Sequence, residues 1–275
     1  MGGDNLPQTA SAAMPAGDPL GAVRLLGKLA SKQSLQSLMV LSRAATPAVR
    51  VAMAQALLER PEPEAAQALA ALRGDADRGV AFLARLGAWR RDTAAGAPVA
   101  EARALLPEAG LLARAVAEVL AAAGGDEDRG ALRALSASRD PAVRRPAMGA
   151  LLRLSAGDTA LWEAALADAD TGVVRQALFA LPAPVPPGLR PRLMALCDDP
   201  QAALCEAARA AVQPLRPPDR WEALRFDLAT EHPWVRRRIV AELGAEASPR
   251  AREILREACA NRNARTRAEA LAALS

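Results

Sequence analysis

Tyrosine is absent from this chain of 275 residues, and three phenylalanines and four tryptophans are its only other aromatics apart from a single histidine, His232. Strands draw on aromatic and β-branched side chains, so a sheet has little to be built from. One histidine and three cysteines (Cys197, Cys205 and Cys259, none in CxxC spacing) cannot assemble a zinc site of the usual pattern. A serine triad would have to use His232, and no GxSxG is present. The phosphate-cradling patterns GxxxxGK[ST] and GxGxxG are missing as well. Neither a cofactor nor a metal is expected. No uncharged apolar run approaches the length of a membrane span. The first residues lack a basic region followed by an apolar one, so the expected location is the cytoplasm, with no membrane partner.

Lysine is also nearly missing. Of 35 basic side chains only Lys28 and Lys32 are lysines, which leaves 33 arginines. Arginine together with abundant Ala, Pro and Gly is what a GC-rich coding sequence produces. The net charge of +4 lies wholly in the second half, where residues 131–275 carry 21 basic and 17 acidic groups. That asymmetry is too small to argue for nucleic acid by itself. The 51% apolar content is dominated by Ala and Leu, strong helix formers, and the chain reads as all-α.

A nine-residue signature recurs at intervals of 30 to 32 residues. Its clearest copy is Val143-Arg144-Arg145-Pro146-Ala147-Met148-Gly149-Ala150-Leu151 after Asp140-Pro141. With Val143 as position 0, apolar residues fall at 0, +4, +7 and +8, and a helix-capping residue at −3. Position 0 recurs at Val49, Val80, Leu112, Val143, Val173, Ala203, Val235 and Thr266. At about 100° per residue those positions form one stripe roughly 100° wide, the width of a core-facing surface. Five copies place Ala at +4 (Ala84, Ala147, Ala177, Ala207, Ala270), where neighbouring helices can approach closely. Position −3 holds Thr46, Asp77, Asp140, Asp170 and Asn263, all good N-caps; Ala109, Pro200 and His232 fill it elsewhere, and Asp199 is the alternative cap in the sixth copy. The third and sixth copies are degenerate. A fixed period of this length marks a solenoid, each repeat a helix pair.

Residues 1–17 read as a disordered tail, 18–33 as an N-terminal cap helix outside the period, and 34–275 as about eight repeats of one continuous body. Two Pro-rich stretches, 182–188 and 214–218, read as rigid connectors between repeats.

Val-Arg at 0 and +1, Ala at +4 and a closing Ala-Leu resemble HEAT repeats, and the 31-residue spacing is closest to the short subtype named for phycobilisome-lyase subunits. The resemblance implies a right-handed α–α superhelix of about eight antiparallel pairs. It further implies that Asp at −3 and Arg at +1 (Arg50, Arg144, Arg236, Arg267) link repeats in a ladder, and that second helices line a concave face.

Positions +2 and +6 lie opposite the buried stripe, and so on that face. There the sequence places Arg114, Arg145, Arg175, Phe179, Arg209 and Arg237, with Arg238 adjacent and Trp234 just before Val235. Guanidinium forks bind carboxylates and phosphates bidentately. The leading expectation is a non-catalytic scaffold that holds an acidic protein segment. The alternative is a DNA-binding protein, because one group of DNA glycosylases resembles HEAT stacks with a basic groove and uses aromatics and a carboxylate around the damaged nucleotide. A bilin-lyase chaperone subunit is suggested only by the family name.

Overall fold

A computed structural model describes residues 18–29, 31–41, 46–246 and 248–275. The expected tail, 1–17, lies outside them. The described residues form seventeen α-helices and no strand. They divide into two compact units, one up to Ala131 and the other Leu132–Ser275, where the period predicts one body. The division falls within α8 (Arg129–Ser136), which buries only Leu132.

In the first unit, α1 (Pro19–Lys28) and α3 (Pro47–Leu58) pack side by side, followed by α5 (Arg78–Arg91) on α3. Arg60, just past α3, donates to the carbonyls of Leu29 at 2.9 Å and Leu26 at 3.5 Å. The C-terminal ends of α1 and α3 are therefore level, and the helix expected as an out-of-frame cap stacks as a repeat's second helix would. The first helices α2 (Lys32–Leu41) and α4 (Pro63–Ala71) lie against α3, and α6 (Val99–Leu105) against α7 (Ala113–Ala123). Leu69 of α4 fits against Gly87, where a Cβ would come within 2.2 Å of its Cδ2.

The second unit continues with α9 (Pro141–Leu154), α11 (Thr171–Phe179) and α13 (Ala202–Val212), stacked in order. Their first-helix partners include α10 (Thr159–Leu166) and α12 (Arg190–Leu196). Beyond them lie α14 (Arg220–Thr230), α15 (Pro233–Glu246), α16 (Pro249–Ala258) and α17 (Ala264–Leu274), with α15 packed on α17. Both Pro-rich stretches fall between helix pairs, as expected. Two apolar cores lie within this unit among the described residues, one from Met148 to Phe226 around the buried Trp162 and one from Leu228 to Ala270, and buried Val143, Ala147 and Leu151 of α9 belong to neither.

Most of the predicted stripe is buried. Val49, Val80, Leu112, Val143, Val173 and Thr266 lie inside, as do Ala84, Ala147, Ala177 and Ala270. Asp77, Asp140, Asp170 and Asn263 each accept a backbone N–H of the first helical turn; Thr46 occupies its N-cap without such a bond. The degenerate third copy, with Ala109 at −3, enters α7 through a 3-10 turn, Gly110–Leu112.

The sixth register needs correction. Ala203 is exposed, while Leu204, Ala208 and Val212 are buried. Position 0 is Leu204, one residue later, because Asp199 accepts the Gln201 N–H at 2.8 Å and Gln201 becomes the N-cap. The spacings on either side both become 31, more regular than the 30 and 32 obtained with Ala203.

The ladder also departs from expectation. Arg50 pairs bidentately with Asp75 (2.9 and 2.9 Å), and Arg144 with Asp168 (3.0 and 2.8 Å), both carboxylates at −5 of the following repeat. The aspartates at −3, Asp77 and Asp170, take no part in these two pairs and accept a backbone N–H of the helix each one caps. Arg236 turns back instead to Asp198 at 2.5 Å, and Arg267 closes on the carbonyls of Asn261 and Arg262.

Candidate functional site

Eight side chains were expected on one face, and the structure gives them different employments. Arg209 is buried, at 8% exposure. Its Nε donates to the Thr230 carbonyl at 3.0 Å and its Nη2 to the Cys197 carbonyl at 2.9 Å. It is removed from the predicted contact row, and the register explains why: counted from Leu204 it stands at +5, on the flank of the buried stripe. Its Nη1 also meets His232 Nδ1 at 2.7 Å. A guanidinium only donates, so that ring nitrogen faces it with its lone pair. The His232 ring therefore packs on Arg209 instead of capping α15, where only its backbone carbonyl accepts from Val235 and Arg236.

Arg145 is exposed but already forked onto Asp170, at 2.7 and 2.8 Å. That guanidinium holds the Asp170 carboxyl down to about 2. Here the −3 aspartate does join the ladder, through the arginine at +2 of the preceding repeat. Arg114 is exposed in the first unit and lies 3.5 Å from Glu59. In the second unit, exposed Arg237 reaches the half-buried Glu269 only at 4.0 Å, and Arg238 reaches Glu242 at 3.6 Å with both side chains exposed.

Arg175 is different. It is exposed, and no carboxylate among the described residues pairs with it. One helical turn later on α11 stands Phe179, at 75% exposure the most exposed large apolar side chain described. An i, i+4 pair of one cation and one aromatic on the same surface can meet a segment that brings both a carboxylate and an apolar group. On α13 the surface is small and low, with Ala203 and Ala210 exposed beside Glu206. On α15, Trp234 is 65% exposed and its indole stacks over His232, with centroids 6.2 Å apart and planes inclined by 19°. Arg237 and Arg238 follow within a turn.

Trp162 and Trp221 are engaged within the fold. Trp162 is enclosed and donates to the Ala156 carbonyl at 3.1 Å. The guanidinium carbons of Arg220 and Arg250 lie over the Trp221 ring, at 4.8 and 5.9 Å from its centroid. Cys197 and Cys205 are buried, and burial pushes the Cys197 thiol up to about 11. Among the described residues no three His, Cys, Asp or Glu side chains gather as metal ligands would. A depression of about 450 Å³ in the first unit is lined by Val51, Gly79, Leu105 and Leu112, and by none of the eight predicted side chains.

Sequence reasoning missed the arginines that serve helix ends. Arg60, Arg192, Arg209 and Arg236 all donate to carbonyls in or just past the last turn of a helix. Position −5, with Asp75 and Asp168, was missed too, although the repeated Asp-Ala-Asp of 75–77 and 168–170 was the visible signal. No helix described is long and apolar enough to cross a membrane.

No known family's sequence profile matches the chain, and no curated protein matches it either. A solved structure of human deoxyhypusine hydroxylase in complex with glycerol aligns with 94% of this chain and 98% of that one, at 18% identity and a TM-score of 0.24, a likeness too slight to bear on function.

Proposed function

We propose that this chain is a HEAT-like solenoid of eight helix pairs in a right-handed array, acting as a non-catalytic scaffold that holds an acidic protein segment. The contact surface is the exposed side of the second helices in Leu132–Ser275: Arg175 and Phe179 on α11, Trp234, Arg237 and Arg238 on α15. The observation that carries this reading is the Arg175–Phe179 pair. Most guanidiniums in the unit are engaged with a carboxylate or a helix end, and exposed aromatics are rare, yet these two stand side by side with neither fold nor capping using them. Exposed aromatic and arginine side chains are the usual anchors of protein interfaces.

The test is binding of synthetic acidic peptides carrying one apolar anchor, read by fluorescence anisotropy at physiological salt. Arg175→Glu with Arg237→Glu is expected to abolish binding while leaving the melting temperature nearly unchanged, since neither side chain supports packing. A 20-base-pair duplex is titrated in parallel. Micromolar or tighter DNA binding that depends on the same arginines would replace the protein segment by nucleic acid. Peptide binding that survives the double reversal would remove the surface from the account.

A further inference from the structure

The second unit is not uniformly built. Within it α9 packs on α11, α11 on α13, and α15 on α17, but α13 and α15 scarcely touch. The two apolar cores meet within α14, where Phe226 belongs to the first and Leu228, two residues on, to the second, so that Phe226 is the apolar side chain carried across the joint. The chain crosses there through Pro214-Leu215-Arg216-Pro217-Pro218.

Beside Phe226, the contacts that span the joint are polar. From α13, Arg209 reaches the Thr230 carbonyl at the end of α14. From α15, the wholly buried Arg236 reaches back to Asp198, just beyond α12, and holds the Glu231 carbonyl at 2.6 Å. Arg262, before α17, donates to the Ala229 carbonyl at 3.0 Å and to that of Met194, and lies 3.5 Å from Asp198 Oδ2. Arg216 forks onto Asp227 at 2.8 and 2.7 Å, and Gln213 meets Glu231 at 2.8 Å. Three guanidiniums thus converge on one carboxylate and the carbonyl ends of two helices, whose partial negative charge attracts them. Buried Arg236 Nη1 and Asp198 Oδ2 make no hydrogen bond. Apolar interfaces are close-packed and hold one arrangement, whereas a joint made of directional polar contacts can exchange them singly with water.

We propose that the α13–α15 joint is a hinge, with residues 132–212 and 220–275 as its two bodies and Asp198 as the clamp that Arg236 and Arg262 share. Rotation there changes the spacing between the Arg175–Phe179 pair and the Trp234–Arg237 cluster. The use of the hinge in capture rests on the function proposed above; its existence does not.

The experiment is therefore made on the free full-length protein. Nitroxide labels at Ala210→Cys and Ala241→Cys, the +6 positions of α13 and α15, report the joint in a Cys259→Ser background. Labels at Phe179→Cys and Ala210→Cys report the equivalent pair across the apolar α11–α13 contact. Electron–electron dipolar distances are expected to spread about twofold more widely across the joint than across the control. A cross-joint distribution as narrow as the control overturns the hinge, whatever any variant does. Asp198→Asn, or the milder Arg262→Gln should the first fail to fold, is expected to widen the cross-joint distribution further and leave the control unmoved. A broad wild-type distribution that neither variant alters overturns the clamp. Peptide binding is measured separately, so its loss with a mobile joint would tell against the contact surface alone.

Discussion

Arg144 shows how one guanidinium can answer two needs of a helical chain. Its Nη1 takes the carbonyls of Ser138 and Arg139, which precede α9, while Nε and Nη2 fork onto Asp168 before the next repeat's second helix. Helix ends leave carbonyls without partners, and a planar five-donor group serves several at once. Asp168→Ala leaves that half-buried fork unanswered and is expected to cost about 1–3 kcal/mol in urea denaturation. Asp126→Ala removes a pair with Arg129 that is open to solvent on both sides, and is expected to cost under about 0.5 kcal/mol. Equal losses would contradict the distinction. The same forks set an acid limit. Asp75, Asp128, Asp168 and Asp170 all lie below the usual aspartate value, chiefly because Arg50, Arg103, Arg144 and Arg145 hydrogen-bond to their ionised forms. A lowered carboxylate adds stability that is present above its unfolded value, about 3.9, and is lost as pH falls through its folded one, about 2 for Asp170. Stability is therefore expected to fall from about pH 4 downward, and less steeply in Asp170→Asn; identical slopes between pH 5 and 2 would refute it. Buried Cys197, with its thiol pushed up to about 11, is expected to resist a maleimide that reaches half-buried Cys259 in the native protein.

At the scale of the helix, legibility followed how strongly burial constrains a position. Val143, Val173 and Ala177 could be placed from spacing alone, because a stripe that must face a core leaves a periodic trace. The exposed positions left a trace of angle but not of partner. Arg145 and Arg175 both stand at +2, yet one is fastened to Asp170 and the other is not, and the difference lies in the following repeat's turn. The sixth copy failed for a smaller reason: Ala203, Leu204, Ala207 and Ala208 satisfy two registers about equally, and hydrophobicity among alanines discriminates poorly. Leu204 in place of Ala203 gives an even 31-residue spacing and by itself takes Arg209 off the contact row. The register makes a paired prediction. Ala177 is enclosed in α11, and Ala177→Leu is expected to overpack it by about 1–3 kcal/mol. Ala272 is exposed on α17, and Ala272→Leu is expected to leave the melting temperature almost unchanged. Comparable shifts for the two variants would mean that the assigned faces are wrong.

For the whole molecule, the repeat construction proposed above has the consequence that damage is expected to stay local. Each helix pair is stabilised by its own apolar contacts and those of its immediate neighbours, so stability is approximately a sum of nearest-neighbour terms without a single centre. The two compact units, and the separation of the core around Trp162 from that around Ile254, give that sum visible breaks. Ala177 lies in the core from Met148 to Phe226, whereas Val49 and Met53 belong to another around α1 and α3. Amide hydrogen exchange read by mass spectrometry separates these regions without assuming two-state unfolding. In Ala177→Leu, protection is expected to drop across α9 to α13, fall less in α15 to α17, and stay at its wild-type level in α3 to α5. A uniform loss of protection from Pro47 to Leu274 would show one cooperative body, and with it that the breaks in the apolar core do not divide the energy as they divide the contacts.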